Sequence, residues 1–411
     1  MKSVLSLAVA LLCALPLVSQ DRKATIEVVG GKDDVRNVLV VVPISARVVG
    51  DTHAVSVTGP DNKPLLAQLA PARLHAAASP ELTVLVPELK AGQTLKLTAA
   101  FGIGAKAVQQ FEWKEVDGLE QLQYGDRPVL RYFHKTFDKA LYEKGKEIAN
   151  PSTKPYHHLF AADGKTIVTN SNQGQYPHHR GIYFGFNNIS YEGKKADVWH
   201  CRGGEHTAHE KVLNATAGPL FGRHLLQIAW TGTDGKVFAN ERRELTAYHV
   251  GDATVIDFAS ELTTTLEKVR LDGDPQHAGF HFRANSAMEK NAKETVFIRP
   301  DGKGKPGEEK NWLPKGKAGP VNLPWNAMNF GLDGKRYTVV YLDHPGNPKE
   351  ARQSERCYGR IGTYFEYDLT PDKPLKVRYR LWFQEGEPTV EQCEALSRTF
   401  VNPPSATLPT R

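Results

Sequence analysis

Along most of the chain, apolar and polar residues alternate with the period of a strand that buries one face. The pattern is clearest at 375–383, where Leu375, Val377, Tyr379, Leu381 and Phe383 share one face and Lys376, Arg378, Arg380 and Trp382 the other. Further strands are predicted at 166–169, 182–186, 224–230, 236–248, 254–260, 279–284, 337–342 and 363–368. Asp-Gly pairs at 163–164, 234–235, 301–302 and 333–334 supply tight turns between some of them. Nearer the N-terminus, short apolar runs at 38–45, 54–57, 82–86 and 95–101 are separated by turn residues at 59–62 and 90–93. Only one helix has clear start signals: Thr389 with Gln392 fits a capping box, and Val390, Cys393 and Leu396 follow at helical spacing. The expected fold class is therefore all-β. A large β-sandwich over 119–400, of the galactose-mutarotase-like supersandwich kind, follows a small Ig-like β-sandwich over 24–108.

Residues 1–20 combine Lys2, an apolar run at 4–12 and a breaker at Pro16. That is the pattern of a secretory signal peptide, so a periplasmic or secreted location is expected. No later stretch approaches 18 consecutive apolar residues, and no membrane span is predicted. Cys201, Cys357 and Cys393 are too few and too far apart for a disulfide framework.

Composition changes little. With 411 residues, 40% hydrophobic and 24% charged, the chain is an ordinary globular one that can bury a sizeable core. The +6 balance of 52 basic over 46 acidic residues is spread without blocks, so nothing argues for nucleic acid as a partner. Gly302, Gly304 and Gly307 meet the bare dinucleotide-binding glycine pattern, but Pro306 and the charged stretch after it do not open a helix. Walker A, nucleophile-elbow, H-E-x-x-H and Cys-x-x-Cys patterns are missing from the sequence.

Histidine does change the picture. Eight of the 15 histidines fall between residues 134 and 209. In the segment 175–186, His178, His179 and Arg180 enter a strand on which Gly181 and Gly185 flank Tyr183, a face expected to lie open to a ligand. Imidazoles there suit proton transfer, and the guanidinium suits an anionic group. In the segment 197–209, Trp199 beside His200 suits a sugar ring, while His200, His206 and His209 are candidate ligands for a divalent metal. At 279–285, alternation sets His281, Arg283 and Asn285 together as a polar platform opposite Phe280 and Phe282. Glu366, on a predicted strand, is a candidate general acid or base.

The segments RPVLRYFHK (127–135), KPYHHLF (154–160), YPHHRGIYFGF (176–186), DVWH (197–200) and LKVRYRLWFQEGEP (375–388) resemble the PmoA-like family of unknown function. These are secreted or periplasmic proteins, common in planctomycetes and other polysaccharide-degrading bacteria. The family label names a subunit of a membrane methane monooxygenase, which a chain without a spanning segment does not fit. The resemblance implies a β-sandwich and a carbohydrate-processing setting, and it supplies no catalytic residues.

Together these readings lead to a secreted carbohydrate-active protein, a hydrolase or lyase, with no required cofactor. His178, His179, His200 and Glu366 are its candidate catalytic groups. Arg180, Tyr183, Trp199, His281, Arg283 and Asn285 are its candidate substrate contacts. The alternatives are a non-catalytic glycan-binding protein and a metal-dependent oxidoreductase.

Overall fold

The computed structural model describes residues 22–49, 54–102, 104, 109–143, 150–312 and 319–408. The predicted signal peptide lies outside the described residues, as do 103 and 105–108 at the end of the predicted small module. Among the described residues, no helix is long and apolar enough to cross a membrane.

The alternating runs become strands, and the apolar face of each is the buried one. In Leu375–Glu385 the five residues predicted to share a face are all buried, and Lys376 and Arg378 on the other face are exposed. This strand lies in a nine-stranded antiparallel sheet, between Ala253–Thr263 and Lys335–Asp343. Packed against that sheet is an eight-stranded one containing Tyr156–Leu159, Ile182–Phe186, Ala278–Arg283 and Arg360–Tyr364. Aromatic side chains fill the space between the two sheets: Phe258 meets Phe280 at 4.3 Å between centroids, and Phe280 stacks on Tyr379 at 4.7 Å. A four-stranded sheet that includes Asn188–Tyr191 and Val269–Asp272 extends the same core. The protein is thus an all-β sandwich, as the sequence pattern requires.

The small module is a second sandwich with its own core of Ile26, Val28, Val40, Leu82, Val84 and Leu97. It is closed by a strand from the far end of the chain. Ser405–Thr407 pairs antiparallel with Arg22–Val29, so residues outside both predicted domain spans complete this sheet. The large domain also begins earlier than 119, since Phe111–Val116 pairs with Leu119–Tyr124. The predicted helix runs Val390–Val401, with both hydrogen bonds of the Thr389 and Gln392 capping box in place. Cys201, Cys357 and Cys393 are free thiols.

Candidate functional site

Ile182–Phe186 pairs with Ala278–Arg283 in a register that sets Tyr183 beside His281. Ala278–Arg283 in turn pairs with Arg360–Tyr364, which places Arg360 opposite Arg283. Ile182, Phe184, Phe186, Phe280 and Phe282 enter the core, while Tyr183, His281 and Arg283 project from the other face. That second face is not open: Tyr183, His281, Arg283 and Arg360 are all fully buried. Three loop segments cover it, carrying Tyr176–Arg180, Asp197–Cys201 and Asp274–His277.

Two of these segments are built by the same device. Asp197 Oδ1 accepts the backbone N–H of Trp199 at 3.0 Å and of His200 at 2.8 Å, and its Oδ2 lies 2.7 Å from His200 Nδ1. Asp274 Oδ1 accepts the N–H of Gln276 at 2.9 Å and of His277 at 3.1 Å, and both its oxygens lie 2.9 Å from His277 Nδ1. A short acidic side chain that caps its own turn is thereby also locked onto an imidazole three residues on. Each carboxylate accepts a hydrogen bond from the Nδ1–H, which leaves the Nε2 lone pair for chemistry.

The rings converge. His178 lies 4.3 Å from His179, 4.7 Å from His200 and 5.3 Å from His277 between centroids, and His200 lies 4.5 Å from His277. One nitrogen from each of His178, His179 and His277 falls within 4.8 Å of the others, close enough to share an ion. His179 Nδ1 accepts from Trp199 Nε1 at 3.2 Å, and His179 Nε2 stands 3.3 Å from the Tyr358 hydroxyl. Neither ring nitrogen of His178 has a hydrogen-bond partner among the described residues.

Burial favours the neutral form of four imidazoles here. It lowers the pKa of His178, His179 and His281 far below the ordinary value, with nearby cations adding to the effect. His277 is also lowered by burial, against the pull of Asp274. At Asp274 burial works to raise the pKa, but hydrogen bonds led by that to His277 outweigh it and keep the carboxyl ionised. Beneath the rings lie two cations. Lys154 Nζ donates to the carbonyls of His178, at 2.9 Å, and Trp199, tying two of the loops together. Burial brings its pKa down to about 7. Arg360 donates through one nitrogen to Ser354 Oγ at 2.7 Å, and its Nε and other terminal nitrogen have no partner among the described residues.

The predicted site residues sort into three groups. His178, His179 and His200 come together, with the His281 ring 5.8 Å from that of His179. Arg180, Tyr183, Trp199 and Arg283 adjoin the cluster but hold it from inside. Trp199 is fully buried and presents no face to a sugar ring. Tyr183 donates to the Val198 carbonyl at 2.6 Å, and Arg180 donates to the Asn150 carbonyl at 2.7 Å. Arg283 pairs with Glu289 at 2.5 Å. Asn285 is a helix cap, accepting from the Ala287 N–H at 2.9 Å. Glu366 stands apart, paired with Arg270 and, at 2.6 Å, with Arg352, whose hydrogen bond lowers its pKa. An acid kept ionised by two guanidiniums is no proton donor.

The flanking glycines have a different use from the predicted one. A Cβ on Gly181 would lie 2.3 Å from the His157 carbonyl oxygen, and one on Gly185 would lie 2.6 Å from the Tyr183 hydroxyl. They admit neighbouring protein, not a ligand. His206 stacks on Phe137 at 4.0 Å, and His209 contacts Tyr132, so neither joins His200. Sequence reasoning missed His277, Asp274, Tyr358 and Arg360. The repeated Asp-x-x-His spacing at 197–200 and 274–277 is a signal that could have found the first two.

A cavity of about 840 Å³ lies elsewhere, between the small module and the nine-stranded sheet, lined by Arg73, His75, Arg378, Trp382 and Phe400 among others. Its arginines do not converge on the histidine cluster.

No curated protein matches the sequence. Among solved structures, the chain is similar to an alpha-mannosidase from Enterococcus faecalis V583, at 9% identity and a TM-score of 0.46, covering 95% of this chain and 46% of that one. A protein in glycosyl hydrolase family 38 from Enterococcus faecalis aligns at 10% identity and a TM-score of 0.43, covering 95% and 48%. A galactose mutarotase related enzyme from Lactobacillus acidophilus aligns at 10% identity and a TM-score of 0.28, covering 57% and 95%. The chain spans about half the length of the first two. The sequence pattern of a family of unknown function, DUF6807, matches residues 120–398, a stretch that contains the whole histidine cluster, and the chain belongs to that family.

Proposed function

We propose that this protein is an exported carbohydrate-active enzyme working at the histidine cluster, and that its substrate carries a carboxylate, as a uronic acid does. The observation that supports this most directly is the meeting of neutral imidazoles with the buried Arg360, which no carboxylate pairs among the described residues. An unpaired buried cation is costly, and an anionic ligand at the cluster would relieve it.

Elimination suits these groups better than hydrolysis. Glycoside hydrolysis uses two carboxyl groups about the scissile bond, and here Asp197 and Asp274 are both committed to histidines. In a lyase, His200 or His277, each with Nε2 free, takes the proton α to the substrate carboxylate. The carbon–oxygen bond then breaks as the double bond forms, and Tyr358 is placed to return a proton to the leaving oxygen. The positive charge below stabilises the negative charge that builds up on the carboxylate as the proton leaves. A binding-only role would need an exposed aromatic platform, and Trp199 and Tyr183 provide none.

Incubation with a panel of polyuronates, read by the ultraviolet absorbance of unsaturated ends, is expected to reveal one substrate. His277→Ala and His200→Ala should each abolish turnover with the fold retained. Absence of unsaturated product across the panel, or full activity in both variants, overturns the reading.

A second reading, a metal-dependent oxidoreductase of the kind the PmoA-like label suggests, is favoured by the three converging nitrogens and the unpartnered ring of His178. Carboxylate-braced histidines are common metal ligands. Stoichiometric metal in purified protein, lost in His178→Ala together with activity, would decide for it.

A further inference from the structure

A second group of histidines lies outside the proposed reaction centre, and no residue is shared between the two. Glu120 sits on Leu119–Tyr124 and His134 directly follows Arg127–Phe133, both strands of the eight-stranded sheet. His209 comes from His206–Ala217, the edge strand of the nine-stranded sheet. We propose that Glu120, His134 and His209 form a binding site for a divalent first-row transition metal ion, pinning one sheet to the other.

One ligating atom from each residue lies within 4.8 Å of the other two. His134 Nε2 is 2.8 Å from Glu120 Oε2, and the two imidazole rings are 4.4 Å apart. A simple hydrogen bond accounts for Glu120 with His134. It does not account for the second imidazole brought against them from another sheet, where it adds no opposite charge. The Tyr132 hydroxyl lies 3.2 Å from His209 Nδ1, which fixes that ring and leaves Nε2 as the ligand atom. Tyr132 is itself fully buried and stacked on His157 at 4.7 Å, so the brace is rigid. Two imidazoles and one carboxylate are a borderline donor set that suits zinc, iron(II), cobalt or manganese and leaves coordination positions open. All three residues are partly exposed, so an ion can enter without unfolding.

The test is cobalt(II) titration of the chelator-stripped full chain, followed by calorimetry and by the visible absorption of the bound ion. The background is His178→Ala with His277→Ala, which silences the first cluster. One equivalent is expected to bind and to raise Tm by several degrees. Glu120→Gln and His209→Gln should each weaken binding at least about tenfold, and Tyr132→Phe should weaken it less. If the folded background variant binds no cobalt(II), or binds it with an affinity that neither Glu120→Gln nor His209→Gln changes, the site does not exist. Should that background not fold, equivalents are counted in the wild-type chain. The proposal then requires that Glu120→Gln remove one, and it fails if the count is unchanged.

Discussion

Asp274 grips His277 twice, through the backbone N–H and through the ring, and Asp197 does the same for His200. The first contact is structural and the second sets which nitrogen carries the proton, so one substitution separates them. Asp274→Asn keeps an oxygen for the turn and loses the charge. With His277 as a base, kcat is expected to fall by about a hundredfold, the scale of general acid–base catalysis, with Tm nearly unchanged. A fall in Tm with kcat intact would mean that Asp274 only shapes the loop. The proton-carrying pairs were only partly legible beforehand. Pro177-His178-His179-Arg180 stands out as a run of polar, titratable residues, whereas His277 and Arg360 are single residues far along the chain. They reach the site only through the pairing of Ile182–Phe186 with Ala278–Arg283 and of Ala278–Arg283 with Arg360–Tyr364. Nothing local to position 277 or 360 announces that pairing.

At the scale of the strand, period-two alternation correctly divided Phe280 and Phe282 from His281 and Arg283, because one face must enter an apolar core. It could not reveal what lies over the other face. A polar face covered by loops and one washed by water have the same pattern, and here loop carbonyls and buried cations replace the water. The glycines carry the better clue. Gly181 has φ of +32° and its missing Cβ makes room for the Tyr156 ring and the His157 carbonyl. Gly181→Ala combines an unfavourable backbone angle with that overlap, and a loss of about 1–3 kcal/mol is expected. Urea unfolding measures it, and an unchanged midpoint would show that the strands separate at no cost. Because His179 and Arg180 directly precede this residue, a stable variant should also lose activity.

For the whole molecule, the dominant electrostatic fact is how many imidazoles fold into places without water. Apart from the proposed reaction centre, burial lowers His158 to about 4 and His224 to about 3, and it takes His157 well below the ordinary value. In the unfolded chain these groups titrate near 6.5. The unfolded state therefore takes up protons first as pH falls, and the equilibrium moves towards it. The stabilisation is complete above pH 6.5 and is lost progressively down to each folded pKa. The rate is about 1.4 kcal/mol per pH unit for each histidine that remains neutral in the fold. Because this adds over several groups buried together inside the large domain, with His157 Nε2 only 2.7 Å from His224 Nε2, acid should unfold that domain cooperatively rather than fray one edge. The urea midpoint is expected to be flat between pH 7 and 8 and to drop steeply from pH 6 to pH 5. His158→Gln, which retains a polar partner for the Thr169 hydroxyl now 3.1 Å from His158 Nδ1, should reduce the slope by one proton. A midpoint independent of pH over that range would require the histidines to be solvated in the native protein, which their burial contradicts.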